Sequence, residues 1–346
     1  MKSKDCAQLD SSTQISVAIL GAGNMGRRLA KSLRSLNGVL IKYVYSRSMS
    51  QAQNLADLCR ARALDDPKAI WGDHGVDAII ICLPTFTRLE TLKPAIDSGK
   101  HIFCEKPLAL DHSMADKIQT LLSGYSGTVM VGQVLRFFWE YSKIRAKVIA
   151  GEIGNAGTIR LSRRVGYPGR DSWFADPAKS GGVILDLLIH DLDFLRWTCG
   201  EVKQIYAKAL TFSHLGTQDY ALLNMKMDSG ALAHIEGSWS HPVGSFRQTV
   251  EICGSRGLIS YDSSTSENLK LISTSETEGK VASRISLPES DPSNDPYANE
   301  VEHFLDCVRT GRKPFLAWED SLQSCRLAFQ AIESVKACKP VLCASH

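Results

Sequence analysis

No run of apolar residues in this 346-residue chain is long enough to cross a bilayer. Charge of one sign is equally scarce: 40 Lys and Arg stand against 37 Asp and Glu, a net charge of +3, which gives no reason to expect nucleic acid or a membrane as partner. The first residues, Met1-Lys-Ser-Lys-Asp-Cys, carry no hydrophobic core of a secretory signal, so none is expected. Residues 1–13 read as a disordered polar lead-in. The ten cysteines include no CxxC pair, and His234, His241 and His303 have no neighbours at metal-ligand spacing, so no zinc or other metal is expected. Cys82, Cys104 and Cys253 fall in apparent strands and read as small buried hydrophobes, which suits a reducing cytoplasm. There is no internal repeat and no low-complexity tract. What remains is an ordinary globular composition, 44% hydrophobic and 22% charged, at a length that suits two domains.

The first informative stretch is Ile15–Leu20, a short apolar run, followed at once by Gly21-Ala-Gly23-Asn24-Met25-Gly26 and then a helical pattern through Leu29, Leu33 and Leu36. Strand, GxGxxG and helix in that order form the context in which this motif binds a dinucleotide. The first glycine makes the turn, the second admits a pyrophosphate, and the third lets helix and strand pack closely. Free N–H groups at the helix start, on Asn24 and Met25 among others, then face the phosphates. A second strand, Val39–Tyr45, ends at Ser46-Arg47, where NAD-preferring folds usually carry an acid for the ribose 2′-hydroxyl. Serine can donate to a 2′-phosphate and arginine can neutralise it, so the pair favours NADP over NAD.

Strands and helices alternate onward: an amphipathic helix from Ser48 to about Arg62, a fully apolar strand at Asp77–Leu83, a helix to about Ser98 with Gly99 closing it, a strand at His101–Cys104, a helix over Asp111–Leu122, and a strand at Thr128–Gly132. That alternation implies a doubly wound parallel sheet. Pro84 and Thr85 lie at its carboxyl edge, where a cofactor would sit. So does Glu105-Lys106-Pro107. Pro107 keeps Lys106 out of helical geometry, so the lysine projects from the strand end, where it could stabilise a reacting oxygen or be a plain surface lysine.

The second informative stretch is a helical pattern, Gly182-Val-Ile-Leu-Asp186-Leu-Leu-Ile-His190-Asp191-Leu-Asp193-Phe-Leu-Arg-Trp197, apolar almost all the way round. Read as one helix, it puts Asp186 and His190 on one face inside an apolar wall, with Asp193 continuing the stripe. A buried carboxylate and imidazole must be paired or face a cavity. By itself the pair is as compatible with a core hydrogen bond as with catalysis.

GAGNMG at 21–26, EKP at 105–107 and GGVILDLLIHDLD at 181–193 resemble the glucose–fructose oxidoreductase / inositol dehydrogenase (Gfo/Idh/MocA) family, and the resemblance runs from Ile15 to about Val341. It implies that Lys106, Asp186 and His190 meet over a nicotinamide as the catalytic set, with Gly21, Gly23 and Gly26 at the dinucleotide; Asn24, Met25, Ser46, Arg47, Pro84, Thr85, Glu105 and Lys106 complete the cofactor candidates by their places in the sequence. It also implies an oxidoreductase acting on a sugar, inositol or related polyol, and a homodimer or homotetramer formed through the sheet of the second domain. Ser46-Arg47 departs from the many NAD-using members that carry an aspartate there.

The domains implied are a Rossmann domain over 14–136 and an α+β domain over 137–346, whose last helix could pack back on the first. A helix near Trp139–Gly151 crosses between them. Thr158–Val165 reads as a strand, and a loop from Gly166 to Ser180 carries Tyr167, Arg170 and Trp173. Arg163, Tyr167 and Trp173 could join Lys106, Asp186 and His190 around a polyol. After Gly200, strands are expected at 202–213, 219–227, 230–239, 246–253, 258–261 and 268–273, forming a large, mostly antiparallel open sheet. Residues 274–294 read as a mobile polar loop and 296–310 as a helix. Two rival functions stay open: a reductase of another cyclic carbonyl or diol compound, and a dinucleotide sensor without catalysis. A sensor would have no need of Lys106, Asp186 and His190 together.

Overall fold

A computed structural model describes residues 14–167, 169, 172–212, 218–242, 244–265, 269–274, 281–286 and 294–343. The expected lead-in at 1–13 and Arg170 lie outside them. The first half runs β1 (Ile15–Leu20), α1 (Asn24–Arg34), β2 (Val39–Tyr45), α2 (Met49–Cys59), β3 (Arg62–Leu64), α3 (Lys68–Trp71), β4 (Ala78–Ile81), α4 (Arg88–Asp97), β5 (His101–Glu105), α5 (His112–Leu122) and β6 (Val129–Gly132). Its strands form one parallel sheet in the order β3-β2-β1-β4-β5-β6. The order reverses between β1 and β4, which opens a crevice beyond their carboxyl ends. β3 and α3 are additions to the sequence reading. The helix expected to reach Arg62 stops at Cys59, where Arg60 turns left-handed at φ +55°. Three residues of edge strand follow, too short to show a period.

Helix starts follow local chemistry. The Ser48 and Asp111 side chains accept hydrogen bonds from the N–H groups of Gln51 and Met114 at 3.4 and 2.7 Å, and cap α2 and α5. α1 starts at Gly23 with no side-chain cap, so its first N–H groups stay available.

The second half runs α6 (Trp139–Ile149), β7 (Ala156–Gly166), α7 (Pro177–Ser180), a π-helical turn (Val183–Leu187), α8 (Ile189–Cys199), β8 (Val202–Leu210), β9 (Tyr220–Met227), β10 (Leu232–His241), β11 (Phe246–Gly254), β12 (Gly257–Asp262), β13 (Leu269–Thr274), β14 (Val281–Ser286), α9 (Pro296–Thr310), α10 (Trp318–Ala337) and β15 (Val341–Leu342). The sheet order is β14-β13-β12-β11-β7-β10-β9-β8-β15, antiparallel except for β7 beside β10. One face is apolar and buried under α8 and α10 (Ile205, Ala207, Leu223, Met225, Ile235). The other face carries cross-strand ion pairs, Arg160–Glu251, Arg164–Glu236 and Arg247–Asp262.

Four expectations need correction. The stretch 274–294 is not a loop throughout, because β14 lies inside it and pairs with β13. Cys253 is exposed on β11 rather than buried, since it alternates with Ile252 to the outer face. A division at 136/137 assigns α9 to the second domain, yet Val301, Phe304 and Leu305 pack into the core made by β1, β2 and α1. α9 is tied there by Asp295, which accepts from Arg28 at 2.8 Å. α10 bridges both halves, with Arg326 donating to Asp116 of α5 and Ser334 receiving the Ala207 N–H of β8. The fourth correction is the expected single helix at 182–197. It is a π-helical turn followed by α8, with the Leu188 N–H reaching the Val183 carbonyl at 3.0 Å.

Candidate active site

A cleft of about 610 Å³ lies at the carboxyl ends of β1, β2, β4 and β5 and is closed on its far side by the loop before α7 and by the π turn. Gly21, Gly23, Asn24 and Met25 form one end, Ser46 and Arg47 one wall, Pro84 and Thr85 another, and Glu105, Lys106, Trp173 and Asp186 the other end. Every cofactor candidate named from the sequence lines this cleft except Gly26. Gly26 acts one layer behind: a Cβ there would stand 1.8 Å from the Gly21 carbonyl oxygen. Gly21 has φ +112°, and a Cβ would meet the Cys82 carbonyl at 2.7 Å. Gly23 differs, because a Cβ built on it meets nothing within 4 Å. The turn therefore holds its backbone open toward the cleft, with the uncapped N–H groups of α1 beside it, as a pyrophosphate requires. The residues present fit a dinucleotide.

Ser46 is buried at the end of β2, and its hydroxyl accepts the Ser48 N–H at 3.3 Å, which leaves its proton free to donate outward. Arg47 is exposed and lines both this cleft and an adjoining one of about 450 Å³ walled by Tyr45, Pro67, Trp71 and Phe86. A flat apolar ring would find stacking surfaces there.

At the other end, the Lys106 ammonium donates to the Asp186 backbone carbonyl at 2.8 Å and to its carboxylate at 3.3 Å. The two side chains are 15% and 13% exposed, so the pair is sheltered but open to the cleft. The π turn makes this contact possible: its wider coil sets Asp186 toward β5 while α8 carries on into the core. Gly181 and Gly182, at φ +75° and +68°, swing the chain into that turn, and a Cβ on Gly181 would collide with Leu185. His190 does not line the cleft itself. Its Nδ1 is enclosed without a hydrogen-bond partner, and burial, then the charges of Lys106 and Arg163, hold its pKa well below the usual imidazole value.

The three aspartates of this stretch separate by role. Asp186 faces the cleft. Asp191 accepts from Arg163 at 2.7 and 3.1 Å. Asp193 accepts from Arg136 at 2.9 and 2.8 Å and from Ser324 at 3.2 Å. Asp193 thus belongs to a buried ion pair that joins the end of the first sheet to α8 and α10, not to a catalytic stripe. Arg163 is likewise removed from the substrate set, because it is 3% exposed and held by Asp191 and Gln248. Its alternation on β7 was legible, but its partners are distant in sequence. Tyr167 packs edge-on against Trp239 and does not line the cleft. Trp173 does, stacked on Phe174 at 4.0 Å with Phe86 edge-on at 6.2 Å. Sequence reasoning passed over Phe174, Ser172, Gln51, Cys82 and Leu83, which also line it. Phe174, adjoining Trp173 in a binding loop, was the one with a signal.

The described residues contain no helix long and apolar enough to cross a membrane. Residues 15–133 match the oxidoreductase family with an NAD-binding Rossmann fold, and residues 141–260 match the GFO/IDH/MocA C-terminal domain. A myo-inositol 2-dehydrogenase of Thermotoga maritima is 26% identical over 92% of this chain and 96% of its own length. A D-xylose 1-dehydrogenase (NADP(+)) of Haloferax volcanii is 25% identical over 85% and 89%. The solved structure of a levoglucosan dehydrogenase in complex with NADH superposes with a TM-score of 0.87 over 96% of this chain and all of that one, at 18% identity, a likeness of fold. The glycine turn, the Lys106–Asp186 contact and the paired domain matches converge, and the chain belongs to the Gfo/Idh/MocA family of NAD(P)-dependent oxidoreductases.

Proposed function

We propose that this protein oxidises a secondary alcohol of a sugar, inositol or related polyol, or reduces the corresponding ketone, with NADP as the preferred cofactor. The observation that carries the reading is the Lys106–Asp186 pair at the end of a cleft whose opposite end is the open glycine turn. When bound, the nicotinamide supplies the hydride acceptor or donor. Lys106 donates a hydrogen bond to the reacting oxygen, having an Nζ already ordered by Asp186. His190 takes the hydroxyl proton in oxidation and returns it in reduction. It suits the role because burial, and then the charges of Lys106 and Arg163, keep the imidazole neutral. Asp186 orients the substrate hydroxyl or the imidazole. Trp173 and Phe174 offer a flat apolar wall to the ring face of a cyclic polyol.

The NADP preference is supported by Ser46 and Arg47, one buried with a free hydroxyl proton and one exposed over the cleft, where an acid would otherwise repel a 2′-phosphate. The outer face of the nine-stranded sheet serves as the subunit interface of a homodimer or homotetramer. Exposed Leu210 and Leu232 on that face support this. The test is a panel of cyclitols and aldoses with NADP+ and NAD+, read as the absorbance of reduced nicotinamide. Turnover of at least one neutral polyol is expected, and turnover confined to charged or non-polyol substrates would overturn the assignment.

A further inference from the structure

The catalytic scheme leaves two buried carboxyl groups unused. Glu105 lines the cleft beside Lys106 and is 7% exposed. Glu300 is fully buried on α9, and neither of its carboxyl oxygens has a hydrogen-bond partner. Their elements pack in register. Phe103 and Glu105 share a face of β5, Glu300 and Phe304 share a face of α9, and the Phe103 and Phe304 rings meet edge-on at 5.7 Å. The ring contact brings α9 against β5, and Glu300 interacts electrostatically with Glu105 but, unlike it, does not line the cleft.

An ionised carboxylate with no donor cannot be kept in such a place at tolerable cost. Two adjacent carboxylates would cost more, so one takes a proton. The group that can remain charged is the one with cations around it. Lys106 adjoins Glu105, and Arg88 donates to the Glu105 backbone carbonyl at 2.8 Å. Glu300 has neither. We propose, building on the cofactor reading above, that Glu105 is the counter-charge to the cationic, oxidised nicotinamide, and that Glu300 stays protonated behind it so that the pair presents one negative charge rather than two. A single carboxylate at this spot favours the oxidised cofactor over the neutral, reduced one. The site thereby sets the redox balance of what it binds as well as holding it.

The groups facing Glu105 fix the pH behaviour. Burial pushes its carboxyl up to about 7, opposed by the charges of Lys106 and Arg88 and reinforced by Asp186 across the cleft. From α9, Glu300 is itself held well above the usual range by burial and by Glu105, and Tyr297 is raised to about 12, so neither adds charge near neutrality. Cys82, just past the end of β4, and Cys104, beside Glu105 on β5, are also raised by burial and stay neutral. Preference for the oxidised cofactor should therefore increase between pH 6 and 8, as Glu105 ionises.

The experiment measures dissociation constants of oxidised and reduced cofactor for the whole protein, by fluorescence titration of the reduced form and its displacement by the oxidised form, at pH 6 and pH 8. At pH 8, Glu105→Gln should weaken the oxidised form relative to the reduced one by on the order of tenfold and abolish the pH dependence. Glu105→Asp, which keeps the charge, should retain both the preference and its pH dependence. Glu300→Gln, a neutral stand-in for a protonated carboxyl, should leave the ratio within about twofold of wild type. An unchanged ratio in Glu105→Gln would overturn the counter-charge. A shift in Glu300→Gln as large as that in Glu105→Gln would overturn the protonated partner. If the wild-type protein binds neither form, the failure lies instead with the cofactor reading. If Glu105→Gln does not fold, Glu105→Asp and the wild-type pH series decide: loss of the preference in the former, or a flat ratio in the latter, refutes the proposal.

Discussion

Replacing Asp193 by Asn separates the structural from the catalytic aspartates. Asp193 is 1% exposed and receives two hydrogen bonds from the Arg136 guanidinium and one from Ser324. Arg136 is 4% exposed, and its remaining acidic neighbour is the half-exposed Asp320 at 3.3 Å. Breaking a buried pair from one side costs about 3–5 kcal/mol, because the other charge is left uncompensated. Asp320 retains part of the compensation, so the lower end, about 3 kcal/mol, is expected. In a chain of this size that lowers Tm by about 4 °C. Calorimetry measures it. The double variant Arg136→Met/Asp193→Leu should recover most of the loss, since no orphan charge remains. Turnover per folded molecule should stay near wild type in Asp193→Asn, because Asp193 does not line the cleft. Asp186→Asn should show the converse, with turnover lost and Tm within about 2 °C of wild type. A Tm for Asp193→Asn within about 2 °C of wild type, or a loss of turnover without a loss of stability, would refute the division of roles.

Three further outcomes follow from the geometry. Arg47→Asp should shift cofactor preference toward NAD, because it removes the phosphate partner and adds a repelling charge; titration of both reduced cofactors measures it, and tighter NADH binding by the unmodified protein would contradict the assignment. Gly23→Ala should leave melting unchanged but weaken cofactor binding, since its Cβ enters open cleft, whereas Gly26→Ala should lower Tm as well, since its Cβ would stand 1.8 Å from a backbone oxygen. Light scattering at micromolar concentration should give a dimer or tetramer mass, and a monomer would remove the sheet face as an interface.

Much of this was legible because local rules and tertiary structure agree in the first half. Five of the six short strands and their helices are punctuated by Gly21, Gly99 and the caps Ser48 and Asp111, and a parallel strand such as Ala78–Ile81 announces itself by being apolar throughout. The cleft-lining set followed from knowing where such strands end. The losses share a different cause. Asp186, Asp191 and Asp193 lie within eight residues and look alike in sequence, and only Lys106, Arg163 and Arg136, arriving from other elements, tell them apart. A π turn leaves no periodic signature of its own in five residues, so the break before His190 was hidden under an unbroken apolar pattern. α9 went to the wrong half for a related reason: its amphipathic face was plain, but the surface that covers it, α1 and the first sheet, lies far back along the chain, 267 residues away in the case of Arg28 and Asp295.

The most direct test of the account is Lys106→Ala, with kcat, cofactor Kd and Tm measured on the same preparation. If Lys106 stabilises the reacting oxygen, kcat falls by on the order of 10²-fold or more, cofactor Kd changes by no more than about threefold, and Tm is little altered because Asp186 opens onto the cleft, where water can solvate it. Near-full turnover on a polyol substrate by the folded variant would contradict the central claim.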